Sequence, residues 1–153
     1  MSEHILEIEG VEYSYNGTML SHVPHHISSF KVPSHVKVIG VGAFYEFKGK
    51  EITIPDSVVE IKDGAFCYCN SLESISIPAS VKELGLHVFA DCNNLKVVRF
   101  EGDLPIFNGS PILHCNNLKK VLDRDGQNIV NCLRILKTRD VPQQSIFAYL
   151  GAD

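Results

Sequence analysis

The chain has 153 residues, of which 44% are hydrophobic and 21% are charged, values that are typical of one globular domain. Its net charge of -4 and its pI of about 5.9 disfavour a nucleic-acid binder, which usually carries a basic stripe and a high pI. No apolar run approaches the roughly 18 residues that cross a bilayer, so we predict no membrane insertion.

The first residues are acidic and do not combine a basic stretch with an apolar block, which is the pattern of a secretory signal peptide. We therefore predict a cytoplasmic location, with a cell-surface location as the alternative if a leader has been removed. The five cysteines point the same way, because a disulfide-stapled secreted domain favours an even number.

Residues 1–26 are the first predicted element, an N-terminal cap. Hydrophobic and polar residues alternate over 5–23 around Asn16-Gly17, a dipeptide that strongly favours a tight hairpin turn. We expect this hairpin to cover the exposed edge of the element that follows, since an open strand edge invites aggregation.

Residues 27–121 contain an internal repeat of 22–23 residues. A period of this length with a Leu/Ile pattern predicts stacked coils, each with one parallel strand, at a spacing of roughly 4.8 Å. The stretch 101–111 departs from the pattern but keeps its length, as expected of a terminal repeat. The columns of matching residues are Pro33, Pro55 and Pro78; Phe44, Phe66 and Phe89; Cys69, Cys92 and Cys115; Asn70, Asn93 and Asn116; Leu72, Leu95 and Leu118; and Ile75, Val98 and Val121.

Within one coil, the strand period of two points Ile75 and Ile77 towards the core. Pro78 then ends the strand, because proline cannot donate to a ladder. Val81 and Leu84 are expected to supply the opposite wall, with the phenylalanine of each coil in the middle. The cysteine column is expected to pack small buried thiols beside these rings, and the asparagine column to bond to the backbone of neighbouring coils.

The last residues, 122–153, are expected to form an irregular C-terminal cap, which completes a single domain over 1–153. The composition of this segment predicts a turn at 123–126. It also suggests a strand over 132–137 and a last helical turn over 145–150.

At this point the chain resembles a known family. The segment IPDSVVEIKDGAFCYCNSLESISIPASVKELGLHVFADCNNL is similar to the BspA-type (Treponema pallidum-type) leucine-rich repeats, and the resemblance covers about residues 27–121. It implies a mainly β protein with little helix, a right-handed leucine-rich-repeat solenoid of about four coils of 22–23 residues. The resemblance also implies an interaction or adhesion module, although many members of the family are exported and much longer.

The sequence shows no set of residues with a catalytic pattern. A Gly-rich phosphate loop, a Walker lysine and an HExxH motif are missing, and only a histidine close to a carboxylate or thiol in a cavity would argue for an enzyme. Two clusters contain zinc-ligating residue types, but neither has the second pair of known zinc modules. We predict no enzyme, no metal and no cofactor. The clusters are Cys67, Cys69 and Cys92, and His22, His25 and His26.

Residues that alternate with the buried ones are expected to form an exposed strand face that binds another protein. Arg99 beside Val97 and Leu122 supplies its strongest expected contacts, because arginine next to apolar surface is favoured at interfaces. The hairpin or the loop 102–110 is the competing surface. A structural or adhesion-type protein that self-associates through the solenoid ends is the alternative function. The strand face comprises Ser29, Lys31, Glu51, Thr53, Ser74, Ser76, Val97, Arg99, Lys120 and Leu122.

Overall fold

The structure, a computed structural model, describes residues 6–134. It is built from short strands, with one helix in the described part of the chain. The strands are β1 (Leu6–Ile8), β2 (Val11–Ser14), β3 (Met19–His22), β4 (Ser29–Lys31), β5 (Val38–Ile39), β6 (Glu51–Thr53), β7 (Glu60–Ile61), β8 (Ser74–Ile77), β9 (Glu83–Leu84), β10 (Val97–Phe100), β11 (Ile106–Phe107) and β12 (Lys120–Leu122), and the helix is α1 (Val130–Arg134).

The strands form two walls that enclose the core. The front wall consists of β4, β6, β8, β10 and β12, and the back wall is a seven-stranded sheet in the order β1-β2-β3-β5-β7-β9-β11. From β3 to β11 the back-wall strands pair in parallel, as do the bonded front-wall strands. The predicted β-solenoid of stacked coils is therefore confirmed. It makes about five turns, against about four expected. The front wall has five strands, one for each turn.

The core follows the predicted alternation along each coil. Over β8 the residues are exposed, buried, exposed and buried, so that Ile75 and Ile77 point inwards. Val81 and Leu84 are buried on the back wall, where the predicted apolar pair turns out to overlap the two-residue strand β9. Each coil thus contributes apolar side chains from both walls to one continuous core.

A column of stacked aromatic rings fills the space between the walls. Phe44, Phe66 and Phe89 are fully buried. The ring centroids of Phe44 and Phe66 are 5.1 Å apart, and those of Phe66 and Phe89 are 5.4 Å apart at an interplanar angle of 9°. These are separations at which aromatic pairs attract one another beyond simple burial.

The cysteine column joins each coil to the coil before it. Each thiol donates a hydrogen bond to the carbonyl oxygen of a phenylalanine in the preceding coil, and all three side chains are buried. The thiol–thiol contact with Cys92, together with burial, raises the pKa of Cys115. The predicted packing role is thus confirmed, with a hydrogen bond added to it. The bonds are Cys69 Sγ to Phe44 O (3.2 Å), Cys92 Sγ to Phe66 O (3.0 Å) and Cys115 Sγ to Phe89 O (2.8 Å).

Asparagine side chains link successive coils at the surface, directly after the cysteine positions. The side-chain oxygen of Asn70 accepts from the backbone N–H of Asn93 at 3.2 Å, as the prediction of bonds to neighbouring coils requires. A second column, one residue later, was not predicted: Asn94 donates to the carbonyl of Asn70, and Asn117 to that of Asn93, both at 2.6 Å.

The front wall is split between β6 and β8. The two strands are neighbours, with Cα atoms within 8 Å, but no hydrogen-bonded ladder joins them. Six positions separate Cys69 at the corner from Ile75 in β8, whereas five separate Phe47 from Ile52 in β6. In the shorter connector, the buried position that corresponds to Leu72 is occupied by Gly49, which has no side chain. The sheet therefore divides where the connector changes length.

A larger side chain compensates for the missing leucine side chain. Phe47 stands where the later coils have cysteine, and its fully buried ring packs edge-on against Phe44 at 5.4 Å. The ring covers Gly49 so closely that a Cβ atom there would overlap it and lie 2.6 Å from the carbonyl oxygen of Ile27. The short connector therefore requires glycine at this position.

The N-terminal hairpin forms as predicted, and it extends the back wall. β2 and β3 are antiparallel around Asn16-Gly17, and both of these residues have positive φ angles. Met19 of β3 pairs with Val38 of β5, so the hairpin covers the first coil on that side.

At the other end, one asparagine covers the edge of β12. The side chain of Asn128 accepts from the N–H of Val121 at 3.0 Å and donates to the carbonyl of Lys119 at 3.1 Å. These are two backbone groups that a following strand would otherwise bind. The predicted turn at 123–126 is present, since Gly126 N–H donates to Asp123 O at 2.9 Å.

The predicted strand over 132–137 is wrong for residues 132–134, which belong to α1. Val130, Cys132 and Leu133 are all buried there, and the N–H of Leu133 donates to the carbonyl of Ile129, four residues earlier. The helical spacing therefore buries three apolar side chains in five residues. Residues 135–137 and the turn expected at 145–150 lie outside the described residues.

We expect Phe66→Ala to lower the free energy of unfolding by about 3–5 kcal/mol, because it leaves a cavity between two stacked rings. Chemical denaturation of both proteins measures the difference. Tyr45→Ala, at an exposed aromatic residue, is the control and should cost less than about 1 kcal/mol. Equal losses for the two variants would contradict the stacked arrangement.

We expect Gly49→Ala to cost about 1–3 kcal/mol, because the added methyl group forces the Phe47 ring or the Ile27 backbone to move. The exposed neighbour Lys48 supplies the control, and Lys48→Ala should change stability by less than about 0.5 kcal/mol. A neutral Gly49→Ala, measured by the same denaturation, would show that the short connector does not constrain the ring.

Candidate partner-binding surface

The residues of the predicted strand face all point away from the core. Eight of the ten are exposed, and Val97 and Leu122 are partly buried. The residues between them on each strand are buried or partly buried, which is the alternation that a strand period of two produces. The sequence thus predicted correctly which residues point outwards, whereas the use of this face for binding stays a prediction.

The structure brings together the three residues that were expected to dominate. Arg99 lies opposite Leu122 in the ladder between β10 and β12, and Val97 precedes it by two residues on the same strand. On the other side, Arg99 lies opposite Ser76 of β8. Arg99 therefore has Leu122 on one side, the small hydroxyl of Ser76 on the other, and Val97 two residues before it on its own strand.

The face is interrupted by a cleft that sequence reasoning missed. The cleft has a volume of about 550 Å³ and follows the split between β6 and β8, reaching across to β10. The only signal for it in the sequence was the shorter connector before β6. The polar and charged side chains that line it are Glu51, Thr53, Ser74, Ser76, Arg99 and Glu101.

The charged groups of this face are available for contacts with another molecule. Each of the four ion pairs within residues 6–134 lies outside the strand face, an example being Lys96 with Glu73 at 3.2 Å. Within the same residues, Arg99 has no ion pair or side-chain hydrogen bond, and neither has Glu101. Their hydrogen-bonding capacity is left to solvent or to a partner.

A second, larger cavity lies at the last coils, with a volume of about 710 Å³. His114 lies at its rim and pairs with Asp91, with 3.3 Å between Nδ1 and Oδ1. The neighbouring thiol of Cys115 is buried and donates to the core carbonyl of Phe89. A histidine close to a carboxylate in a cavity, the feature expected to argue for an enzyme, is thus present. The thiol of Cys115 points inwards and its pKa is raised, so it is not a nucleophile activated by His114.

The two clusters with zinc-ligating residue types are not arranged around a common point. Cys69 and Cys92 donate to separate backbone carbonyls inside the core. The rings of His22 and His25 meet edge to face at 6.2 Å between centroids. Across residues 6–134, no three ligating side chains are placed to hold a metal ion.

An exposed aromatic pair lies away from the strand face and was not predicted. The rings of Tyr45 and Tyr68 meet edge to face at 5.5 Å, and the carboxylate of Asp91 raises the pKa of Tyr68. The two tyrosines occupy different positions in their coils, one and two residues after the phenylalanine. Equivalent positions in the repeat therefore gave no sign that the two tyrosines are in contact.

The competing flank, the loop over 102–110, is held in place at two points. Asp103 forms an ion pair with Arg124 at 2.8 Å, between the oxygen Oδ1 and the nitrogen Nη1. Gly102 is buried against Ala79. Ile106 is exposed on β11, and it is the one large apolar group that this loop offers to a partner within the described residues.

The sequence matches a family model described as BspA type leucine rich repeat region, in six copies, over residues 22–131, which is more than half of the chain. No curated protein matches the chain.

Several solved structures of leucine-rich repeat proteins are similar. A protein from Eubacterium ventriosum is 31% identical with a TM-score of 0.69, and the match covers 78% of this chain and 33% of that protein. A protein from Bacteroides capillosus is 23% identical with a TM-score of 0.63 over 78% of this chain and 97% of the other. For the leucine-rich repeat protein of T. pallidum the values are 24%, 0.59, 71% and 65%. This chain thus spans about a third of the E. ventriosum protein.

Proposed function

The chain belongs to the BspA-type leucine-rich repeat family, and from this premise we propose that it is a protein-binding module whose partner lies on the strand face. Repeats of this family are typical of protein-binding or adhesion-type modules and are typically non-enzymatic. The finer proposal concerns which surface of this chain binds and through which residues.

The observation that carries the proposal is the setting of Arg99. Its guanidinium is exposed, has no internal ion pair among the described residues, and lies beside Val97 and Leu122. Arginine is enriched among the residues that dominate binding, and neighbouring apolar side chains exclude water from its contacts. Lys31 and Lys120 add two further cations to the same face, without ion pairs within residues 6–134.

The expected partner is another protein. The net charge of -4 argues against the phosphate contacts that dominate nucleic-acid binding. None of the helices in the described part of the chain is long and apolar enough to span a membrane. The cytoplasmic location stays a prediction, and so does the cell-surface alternative.

Self-association through the solenoid ends is less well supported than partner binding. Asn128 binds the N–H of Val121 in β12 and the carbonyl of Lys119 just before it, and the N–H of Ile129 donates to the carbonyl of Val121 at 2.7 Å. A second copy that stacked on this edge would first have to displace these bonds. The front wall at this end therefore offers few free groups for end-to-end pairing.

The proposal is tested by a matched pair of double variants. Val97→Asp with Arg99→Glu alters the strand face, and Val59→Asp with Lys37→Glu makes the same chemical changes at exposed positions of the back wall. In affinity capture from an extract of the native organism, we expect the first variant to weaken binding of the captured protein roughly 30-fold or more, as loss of a dominant contact does. The second should bind normally.

Denaturation curves and elution volumes show whether both variants remain folded. Capture that survives the strand-face changes but is lost in the back-wall variant would place the interface on the opposite side of the solenoid.

A further inference from the structure

We propose that the cleft between β6 and β8 is a receptor for an extended polypeptide segment that carries one acidic and one basic side chain two residues apart. This inference rests on the proposed function, because the cleft lies in the strand face. It adds the form of the partner and the chemistry by which the partner is recognised.

The shape of the cleft suits a narrow chain. Its floor is formed by Ser74 and Ser76, whose small side chains stand between the longer ones of Glu51 on one side and Arg99 on the other. The volume of about 550 Å³ lies in the usual range of binding pockets, roughly 300–1,000 Å³. The lining residues come from β6, β8 and β10 and the positions directly after β6 and β10, so a segment laid along β8 would meet side chains from all three strands.

The backbone of the cleft floor has no strand partner on its β6 side. The bonds from β8 to β10 use the carbonyls of Glu73 and Ile77, so the backbone groups of the intervening Ser74 and Ser76 face β6. No ladder joins β6 and β8, so these groups lack strand partners. These groups point towards β6 within the sheet, so a segment on the solvent side is held by side chains and not by ladder bonds.

The segment must lie on the cleft and not between the strands. An inserted strand needs roughly 9.6 Å between its two neighbours, which is twice the usual strand spacing. Cα atoms of β6 and β8 lie within 8 Å of one another. The partner therefore meets the cleft from the solvent side, where the charged side chains stand.

The charges define which side chains the segment carries. The N–H of Glu101 donates to the carbonyl of Ile77 at 3.0 Å, so the β10 ladder continues to this residue. Arg99 and Glu101 therefore point to the same side, roughly 6.6 Å apart. Residues i and i+2 of an extended segment have the same spacing and sidedness. An acidic side chain then pairs with Arg99 and a basic one with Glu101, with the carboxylate of Glu51 on the opposite side of the cleft.

The test uses four labelled octapeptides with one neutral background and the central sequences Glu-x-Lys, Lys-x-Glu, Glu-x-Glu and Lys-x-Lys. Their binding to the full chain is measured by fluorescence anisotropy at low ionic strength. The direction in which the segment runs along β10 decides which charge order matches, so we expect one mixed peptide to bind about tenfold more tightly than the other mixed peptide and than both like-charged peptides.

Charge reversal in the protein supplies the decisive comparison. In the double variant Arg99→Glu with Glu101→Arg, the preference between the two mixed peptides should invert, while the net charge stays the same. The control Glu60→Lys with Lys62→Glu reverses a similarly spaced pair on the back wall, and it should leave the preference unchanged.

Equal binding of the mixed and like-charged peptides, a preference that does not invert, or no binding by any peptide would each overturn the inference. These outcomes are separate from the capture experiment. If capture is lost in the Val97 and Arg99 variant while the peptides fail to bind, then the strand face binds its partner by other means than this cleft.

Discussion

The fold depends on contact between equivalent positions of successive coils. One coil of this chain has too few apolar side chains to bury its own inner side, so every coil uses its neighbours as part of its core. The stacked rings of Phe66 and Phe89 and the bond from the Cys92 thiol to the Phe66 carbonyl are two forms of this contact, one apolar and one polar. Both require that equivalent residues lie directly above one another, and the strand face is ordered for the same reason.

That dependence explains why a change of one residue in a connector has visible effects. The back wall continues through all coils because its short strands keep the same distance from the phenylalanine column. The position of each front-wall strand depends instead on the connector that begins at Phe47 or at the cysteine of the coil. The ladder is interrupted where this connector grows from five positions to six. The aromatic ring of Phe47 keeps the core filled at that point. The cleft is thus a by-product of two packing solutions in one solenoid.

Much of the fold could be predicted from the sequence, because a repeat reports the same local rule several times. The alternation of apolar and polar residues alone assigned Ile75 and Ile77 to the core. The same alternation predicted which residues of β10 point outwards. The cleft could not be predicted, because it arises from a difference in connector length between two coils, whereas a repeat is recognised by what its coils share. α1 was missed because a single turn such as Val130–Arg134 is too short to show helical periodicity. Partner identity depends on another molecule and is not encoded locally.

The asparagine at position 128 shows how such an array can stop. Its side chain binds main-chain atoms alone, those of Lys119 and Val121 in the last coil and of Val130 in α1, so this terminator is indifferent to the side chains of the coil it follows. Whole coils can then be gained or lost upstream during evolution without any redesign of the end. The length of the molecule, and with it the area offered to a ligand, becomes a quantity that selection can alter in steps of one coil.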